Sequence, residues 1–293
     1  LGMVWRRLFP KQRELERQAE QARTLGLQRQ LATSDSERRR VVDELTGTLA
    51  EKVGLAHELA EMTVRSFRRF AARFPSEAIA QEVLDGTFKS RRVDRCVFLV
   101  VDAAGSTRAT QAHIEARRAT GETVDESAGF GAVYNGFMTW ASEIIETHGG
   151  WPFAFEGDSV KGMWGFNPRA DRREAALNAW LAAQELIAGV AQWPPAPAPQ
   201  RFGARIGIAT GAADFNLVRT GDRSFMSPNA PALNTAAHLE KEKCHWAGGE
   251  VAMDGVTAGL LGEDELDSHI RDIARTREML DSVEIEIVRV RLG

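Results

Sequence analysis

The stretch Val100-Val101-Asp102-Ala103-Ala104-Gly105-Ser106-Thr107 decides how the rest of the chain is read. The apolar residues 97–101 have the length and β-branched content of a buried strand, which ends on a carboxylate and a turn of small residues. Gly105, Ser106 and Thr107 then offer amides and hydroxyls to phosphate at the start of a helix. Alone, an aspartate in such a turn is more often a cap than a ligand. A second aspartate stands in Glu156-Gly157-Asp158-Ser159, at the tip of a hairpin expected from strands at 151–155 and 160–164. With that hairpin beside the first strand, Asp102 and Asp158 converge with a backbone carbonyl into a hard oxygen site suited to Mg²⁺ or Mn²⁺.

Working outward, a helix is expected over 133–147, stopped by Gly149 and Gly150, and another over 170–191. Strands follow at 205–209, 249–253 and 283–291, with a helix at 234–243 between the first two. Strands interleaved with helices indicate an α/β or α+β layout rather than a helical bundle. The proline-rich residues 193–199 read as an extended surface loop, not as a domain boundary.

The N-terminal third is different. Residues 11–31 form a marginal helix with Leu15, Ala19 and Ala22 at a/d-like spacing and Gly26 where the next apolar position falls. Ser34 or Asp35 caps a second helix beginning near Glu37, which carries Val42, Leu45, Leu49, Ala56 and Leu59 in nearly a 3-4 repeat. That stripe suits burial against a second copy of the chain, the alternative being its own catalytic domain. Phe74-Pro75-Ser76-Glu77 stops this region and restarts a short helix at 76–84, and the basic residues 89–95 bridge to the first strand. The expected division is therefore a helical, dimer-forming region over 1–92 and a catalytic domain over 93–293.

Composition agrees with that division. The 293 residues are 43% hydrophobic and 27% charged, the ordinary range for a globular protein. Residues 1–95 hold 19 Lys and Arg against 14 Asp and Glu, whereas the remainder holds 18 against 27. The basic residues alternate with acidic ones at helical spacing, so they describe a solvated helix face, and nucleic acid is not an expected partner. No window holds 18 consecutive apolar residues, no transmembrane segment is expected, and the expected location is cytoplasmic. Cys96 and Cys244 have neither the spacing of a zinc site nor that of a disulfide framework.

In their order these segments resemble the class III adenylate and guanylate cyclase catalytic domain, over roughly residues 93–260. Phe98 to Thr107 resembles the family's strand and D-x-x-G-[FS]-T turn. His148-Gly149-Gly150 through Gly165 resembles its H-G-G … G-D hairpin. Arg205-Ile206-Gly207-Ile208-Ala209-Thr210-Gly211 resembles R-I-G-I-x-T-G, and Leu233-Asn234-Thr235-Ala236-Ala237-His238-Leu239-Glu240 resembles V-N-x-A-x-R-L-E. The resemblance implies an α+β fold with a ferredoxin-like βαββαβ core behind the N-terminal helices. It implies that Asp102, Asp158 and the Ala103 carbonyl bind two Mg²⁺ or Mn²⁺ ions per site, and that Gly105, Ser106 and Thr107 hold the substrate phosphates. It further implies a homodimer with composite sites, in which Asn234 and His238 of one chain face the aspartates of the other.

The sequence departs from the family at the base-reading positions, which are Ala154 and Ser227 here instead of the purine-selecting pairs. With Trp151, Phe153, Phe155 and Met226 nearby, a smaller base is expected. The pattern is similar to bacterial pyrimidine cyclases, which make cyclic UMP or cyclic CMP as an antiphage signal. Strand alternation sends Ala154 toward the ligand and Phe153 and Phe155 into the core, and puts Glu156 on the face of Ala154. His238 stands where the family has a transition-state arginine, a shorter and only partly charged group near neutral pH. The expected activity is cyclisation of UTP or CTP to the 3′,5′-cyclic nucleotide with release of pyrophosphate. The alternatives are an adenylate cyclase with a non-standard pocket and an inactive nucleotide-binding scaffold.

Overall fold

The computed structural model describes residues 10–29, 35–121, 126–166, 171–190, 203–220, 223–244, 249–262, 265–266, 270–280 and 283–292. The expected cap at Ser34 and the proline-rich loop at 193–199 lie outside the described residues. The chain divides into two compact units, Leu1–Phe70 and Ala71–Gly293.

The first unit consists of α1 (Pro10–Arg29) and α2 (Asp35–Ala71). Gly26 falls where α1 meets α2, since a Cβ there would lie 3.7 Å from a methyl of Leu45. Ala19 and Ala22 face Val42, Leu45 and Leu49 across the groove between the two helices. Farther along α2, Leu55, Leu59 and Met62 follow at i, i+4 and i+7 and stay between 57% and 59% exposed, so part of the apolar stripe is uncovered.

The second unit opens on α3 (Glu77–Leu84), capped as expected by Ser76, whose Oγ accepts from the Ile79 amide at 3.4 Å. The elements that follow are β1 (Arg91–Ala104), α4 (Ser106–Ala119), α5 (Glu126–Thr147), β2 (Trp151–Glu156), β3 (Ser159–Trp164), α6 (Arg172–Val190) and β4 (Gly203–Thr220). After them come β5 (Arg223–Asn229), α7 (Pro231–His238), a π-helical turn (Leu239–Lys243), β6 (Glu250–Asp254), α8 (Gly255–Leu261), β7 (Ile270–Leu280) and β8 (Val283–Leu292). The strands lie in the order β2-β3-β1-β4-β6-β8-β7, with β5 pairing β4. The β2-β3-β1-β4 portion is antiparallel, as a ferredoxin-like βαββαβ core requires, and β6 joins β4 in parallel.

Alternation along β1 divides the core. Val97, Leu99, Val101 and Ala103 are buried with Phe137 and Ile145 of α5 and with Ala176, Ala179, Trp180 and Leu186 of α6. The alanines of α6 let that helix approach the sheet closely. Phe98, Val100 and Asp102 point to the other face, where α7 and the π-helical turn cover β4 and β6. There Leu239, Cys244, Ala252 and Ile287 form a second, smaller apolar cluster.

Several elements differ from expectation. β1 starts at Arg91, because the long β4 extends far enough to pair Arg91, Arg92 and Val93 with Phe215, Asp214 and Ala213 before a register shift. β5 is a strand although it contains Pro228, consistent with a place off the main path of the sheet. β7 carries charges throughout and becomes a strand by pairing along its length with β8. The helix expected over 234–243 is α7 followed by the π-helical turn. Phe155, expected in the core, is 53% exposed. It pairs with Val160 as alternation requires, but β2 is the edge strand of the sheet, and its outer side has no strand beside it.

Candidate active site

Asp102 is the last polar residue of β1 and stands directly opposite Ser159 on β3 and Arg205 on β4. Directly opposed residues of an antiparallel pair project to the same face. Asp102 Oδ2 accepts from Arg205 Nη2 at 2.5 Å, with only 13% of the aspartate side chain exposed. Arg205 Nε lies 3.1 Å from Glu240 Oε1, an ion-pair contact out of line for a hydrogen bond. The guanidinium therefore bridges β1 and the π-helical turn that follows α7.

Asp158 enters from the β2–β3 hairpin. Its backbone carbonyl accepts from the Ala103 amide at 3.4 Å, and its Oδ2 accepts from Ser106 Oγ. Ser106 is 2% exposed, and its hydroxyl also lies 3.5 Å from Tyr134 Oη. Gly105 makes this placement possible: at φ 82° it turns the chain from strand to helix within one residue. The side chains of Asp102 and Asp158 are within interacting distance. Burial first, and then the neighbouring Asp158, raise the Asp102 carboxyl above the usual carboxylate range, against the lowering effect of Arg205. Burial and the two aspartates likewise push Glu240 up to about 7.

These features fit a divalent cation. Asp158 converges on Asp102, whose charge is held at a free-energy cost that a cation would relieve, and Ser159 Oγ opposite Asp102 is buried without a partner. Among the described residues no group of three or more His, Cys, Asp and Glu side chains forms a denser site.

The sequence-derived residues fall into two sets. Asp102, Ala103, Gly105, Ser106, Thr107 and Asp158 come together at one end of β1, and Ala154 lies on the neighbouring hairpin. Asn234 and His238 are on α7 and Ser227 is on β5, elements that do not carry the aspartates. α7 crosses β4 directly over Gly207. A Cβ at that position would overlap the Ala236 carbonyl oxygen and come within 2.6 Å of the Glu240 amide. Gly207 thus sets the height of the helix that presents Asn234 and His238.

Three side chains of this face went without a role in the sequence reading. Arg205 and Glu240 stand inside the R-I-G-I and L-E segments, which supplied the only available signal. The third is Lys161, which faces Ala154 across β2 and β3 and contacts Glu156 at 2.8 Å.

A mixed sheet of this order, with helices before and around it, is the fold of adenylyl and guanylyl cyclase catalytic domains. In particular, the chain is similar to the adenylyl cyclase CyaB from P. aeruginosa, with a TM-score of 0.53 and 19% identity over 70% of this chain and 97% of that one. It is also similar to the guanylate cyclase domain of RhGC from Catenaria anguillulae, solved in complex with GTP, with a TM-score of 0.51 and 14% identity over 69% and 98%. A bacterial light-regulated adenylyl cyclase matches with a TM-score of 0.54 and 14% identity over 89% of this chain and 66% of that protein. No protein-family model matches the chain, and no curated protein matches its sequence. Among the described residues no helix is long and apolar enough to cross a membrane.

Proposed function

We propose that the chain is a metal-dependent nucleotidyl cyclase acting on UTP or CTP in preference to ATP or GTP. The observation that carries the proposal is the junction of Asp102 and Asp158 beside Ser106, at the end of a cyclase-fold β1. In this reading Asp102, Asp158 and the Ala103 carbonyl hold Mg²⁺ or Mn²⁺, which when bound neutralises phosphate charge and lowers the pKa of a coordinated hydroxyl. Gly105, Ser106 and Thr107 lie against the phosphates. The 3′-oxygen attacks the α-phosphorus as its proton passes to water, the bond from that phosphorus to the bridging oxygen breaks, and pyrophosphate departs.

Asn234 and His238 act on the ribose and phosphate of the partner chain's site, so the working unit is a homodimer held by the 1–92 region, including the uncovered stripe of α2. Holding two chains together raises the effective concentration of each half-site. Ala154 and Ser227 leave the base pocket without the groups that read a purine, which supports the smaller base, and the product serves as a defence signal.

The test is incubation of the purified protein with Mn²⁺ and each of the four nucleoside triphosphates, with chromatography of the products. Cyclic UMP or cyclic CMP as the dominant product is expected. Cyclic AMP as the dominant product would overturn the pyrimidine reading and leave the cyclase. Binding of every triphosphate without any cyclisation would overturn the catalytic reading in favour of a scaffold.

A further inference from the structure

We propose that Lys161, held by Glu156, reads the edge of the nucleotide base and is a specificity-determining residue of the site; this rests on the cyclase reading above. The starting point is register. On β3 Lys161 stands directly opposite Ala154 of β2 on one side and Val100 of β1 on the other. All three residues therefore project from the face that bears Asp102, two residues farther along β1. Where Ala154 contributes only a methyl group, the adjacent strand contributes an ammonium.

The second observation is how that ammonium is kept. The Lys161 side chain is only 15% exposed, although lysines seldom stay buried without a reason. Its Nζ lies 2.8 Å from Glu156 Oε1, and that carboxylate is 71% exposed. An exposed partner of this kind contributes little to folding stability, so the pair is a poor structural device. It is a good recognition device. The ammonium has three donors and the glutamate engages one, leaving others for a ring carbonyl or ring nitrogen. The second carboxylate oxygen accepts from a ring N–H or an exocyclic amine.

A uracil or cytosine edge offers such a donor and acceptor side by side, and its single ring suits a group that reaches in from the neighbouring strand. A site that hydrogen-bonds a base edge discriminates far more strongly than one that selects by size alone. The pyrimidine preference, if size alone produced it, would be roughly 10- to 200-fold, and a larger preference requires polar readers such as this pair.

The experiment measures Mn²⁺-dependent binding of the four 3′-deoxynucleoside triphosphates, which lack the attacking hydroxyl, and of inorganic tripolyphosphate, which lacks a base. The proteins are the full chain and its Lys161→Met, Lys161→Arg and Glu156→Gln variants. Lys161→Met is expected to reduce the spread of affinities among the four nucleotides at least tenfold while tripolyphosphate binding stays within about twofold. Lys161→Arg is expected to keep part of the spread, and Glu156→Gln to change the order of preference. An unchanged spread in Lys161→Met, or a parallel loss of tripolyphosphate affinity, overturns the proposal. A wild-type preference for a purine that Lys161→Met abolishes would sink the pyrimidine reading and uphold the role of Lys161.

Discussion

Arg205 donates to Asp102 from directly across β1 and β4 while its Nε lies 3.1 Å from Glu240, so one guanidinium compensates two sheltered carboxylates. Removing it leaves Asp102 without its ion-pair partner and Glu240 with only the more distant field of Lys241. Arg205→Met should destabilise the protein by about 2 kcal/mol, below the range for fully buried pairs because its side chain is 32% exposed. The double variant Arg205→Met/Glu240→Gln should recover part of that loss. Urea denaturation of Arg205→Met, Glu240→Gln and the double variant checks it, and additive losses would contradict a shared network.

Glu240 gives this network a pH signature. Its native pKa of about 7 lies above its ordinary value of 4.5, so the native protein holds a proton that the unfolded chain releases. The stability it contributes is complete below pH 4.5 and is lost as pH rises through about 7. Burial shifts Asp102 in the same direction. In metal-free buffer the melting temperature of Glu240→Gln, relative to the parent, should therefore rise between these two pH values and level off above them. A difference that is constant with pH would contradict the assignment.

The aspartates should be separable from the fold. Asp102→Asn removes a charge that burial disfavours and Asp158→Asn changes a residue at a hairpin turn, so neither should lower the melting temperature by more than a few degrees. Cyclisation should fall by about three orders of magnitude in each variant, together with Mn²⁺ binding measured by calorimetry. Retained turnover in either variant would refute the metal assignment.

Shared sites predict complementation. Asp102→Ala and Asn234→Ala chains should each be inactive alone, and their mixture should regain roughly a quarter of the parental activity, because half of the dimers are mixed and each mixed dimer holds one complete site. Absence of rescue in isolated heterodimers would show that each chain works by itself.

Gly207 reports on the helix above it. Gly207→Ala forces α7 and the Glu240 amide away from β4, which should destabilise the chain by about 1–3 kcal/mol and displace Asn234 and His238. Activity measured well below the melting temperature should drop more than stability does. Equal activity in that range would mean that the height of α7 is unimportant.

The signals that define the catalytic-domain strand, turn and caps are local in the sequence. The apolar run before Asp102, the small residues after it, the hairpin around Gly157 and the Ser76 cap each lie within a few residues of what they control, and the structure has the strand, the turn and the cap. The order of the motifs carried the fold class.

What stayed out of reach depends on partners distant in sequence. β7 has no apolar face of its own and is a strand because β8 pairs with it, and β1 begins early because β4 is long enough to receive it. Arg205 and Asp102 are 103 residues apart, and only the β1–β4 register sets them opposite each other. The pairing of Lys161 with Ala154 follows from the Gly157–Asp158 turn, but only the β1–β3 register sets Lys161 opposite Val100, on the face that bears Asp102. Residue types and their spacing follow from covalent neighbours, whereas register and bulges follow from which strands hydrogen-bond, a choice made by the whole sheet at once.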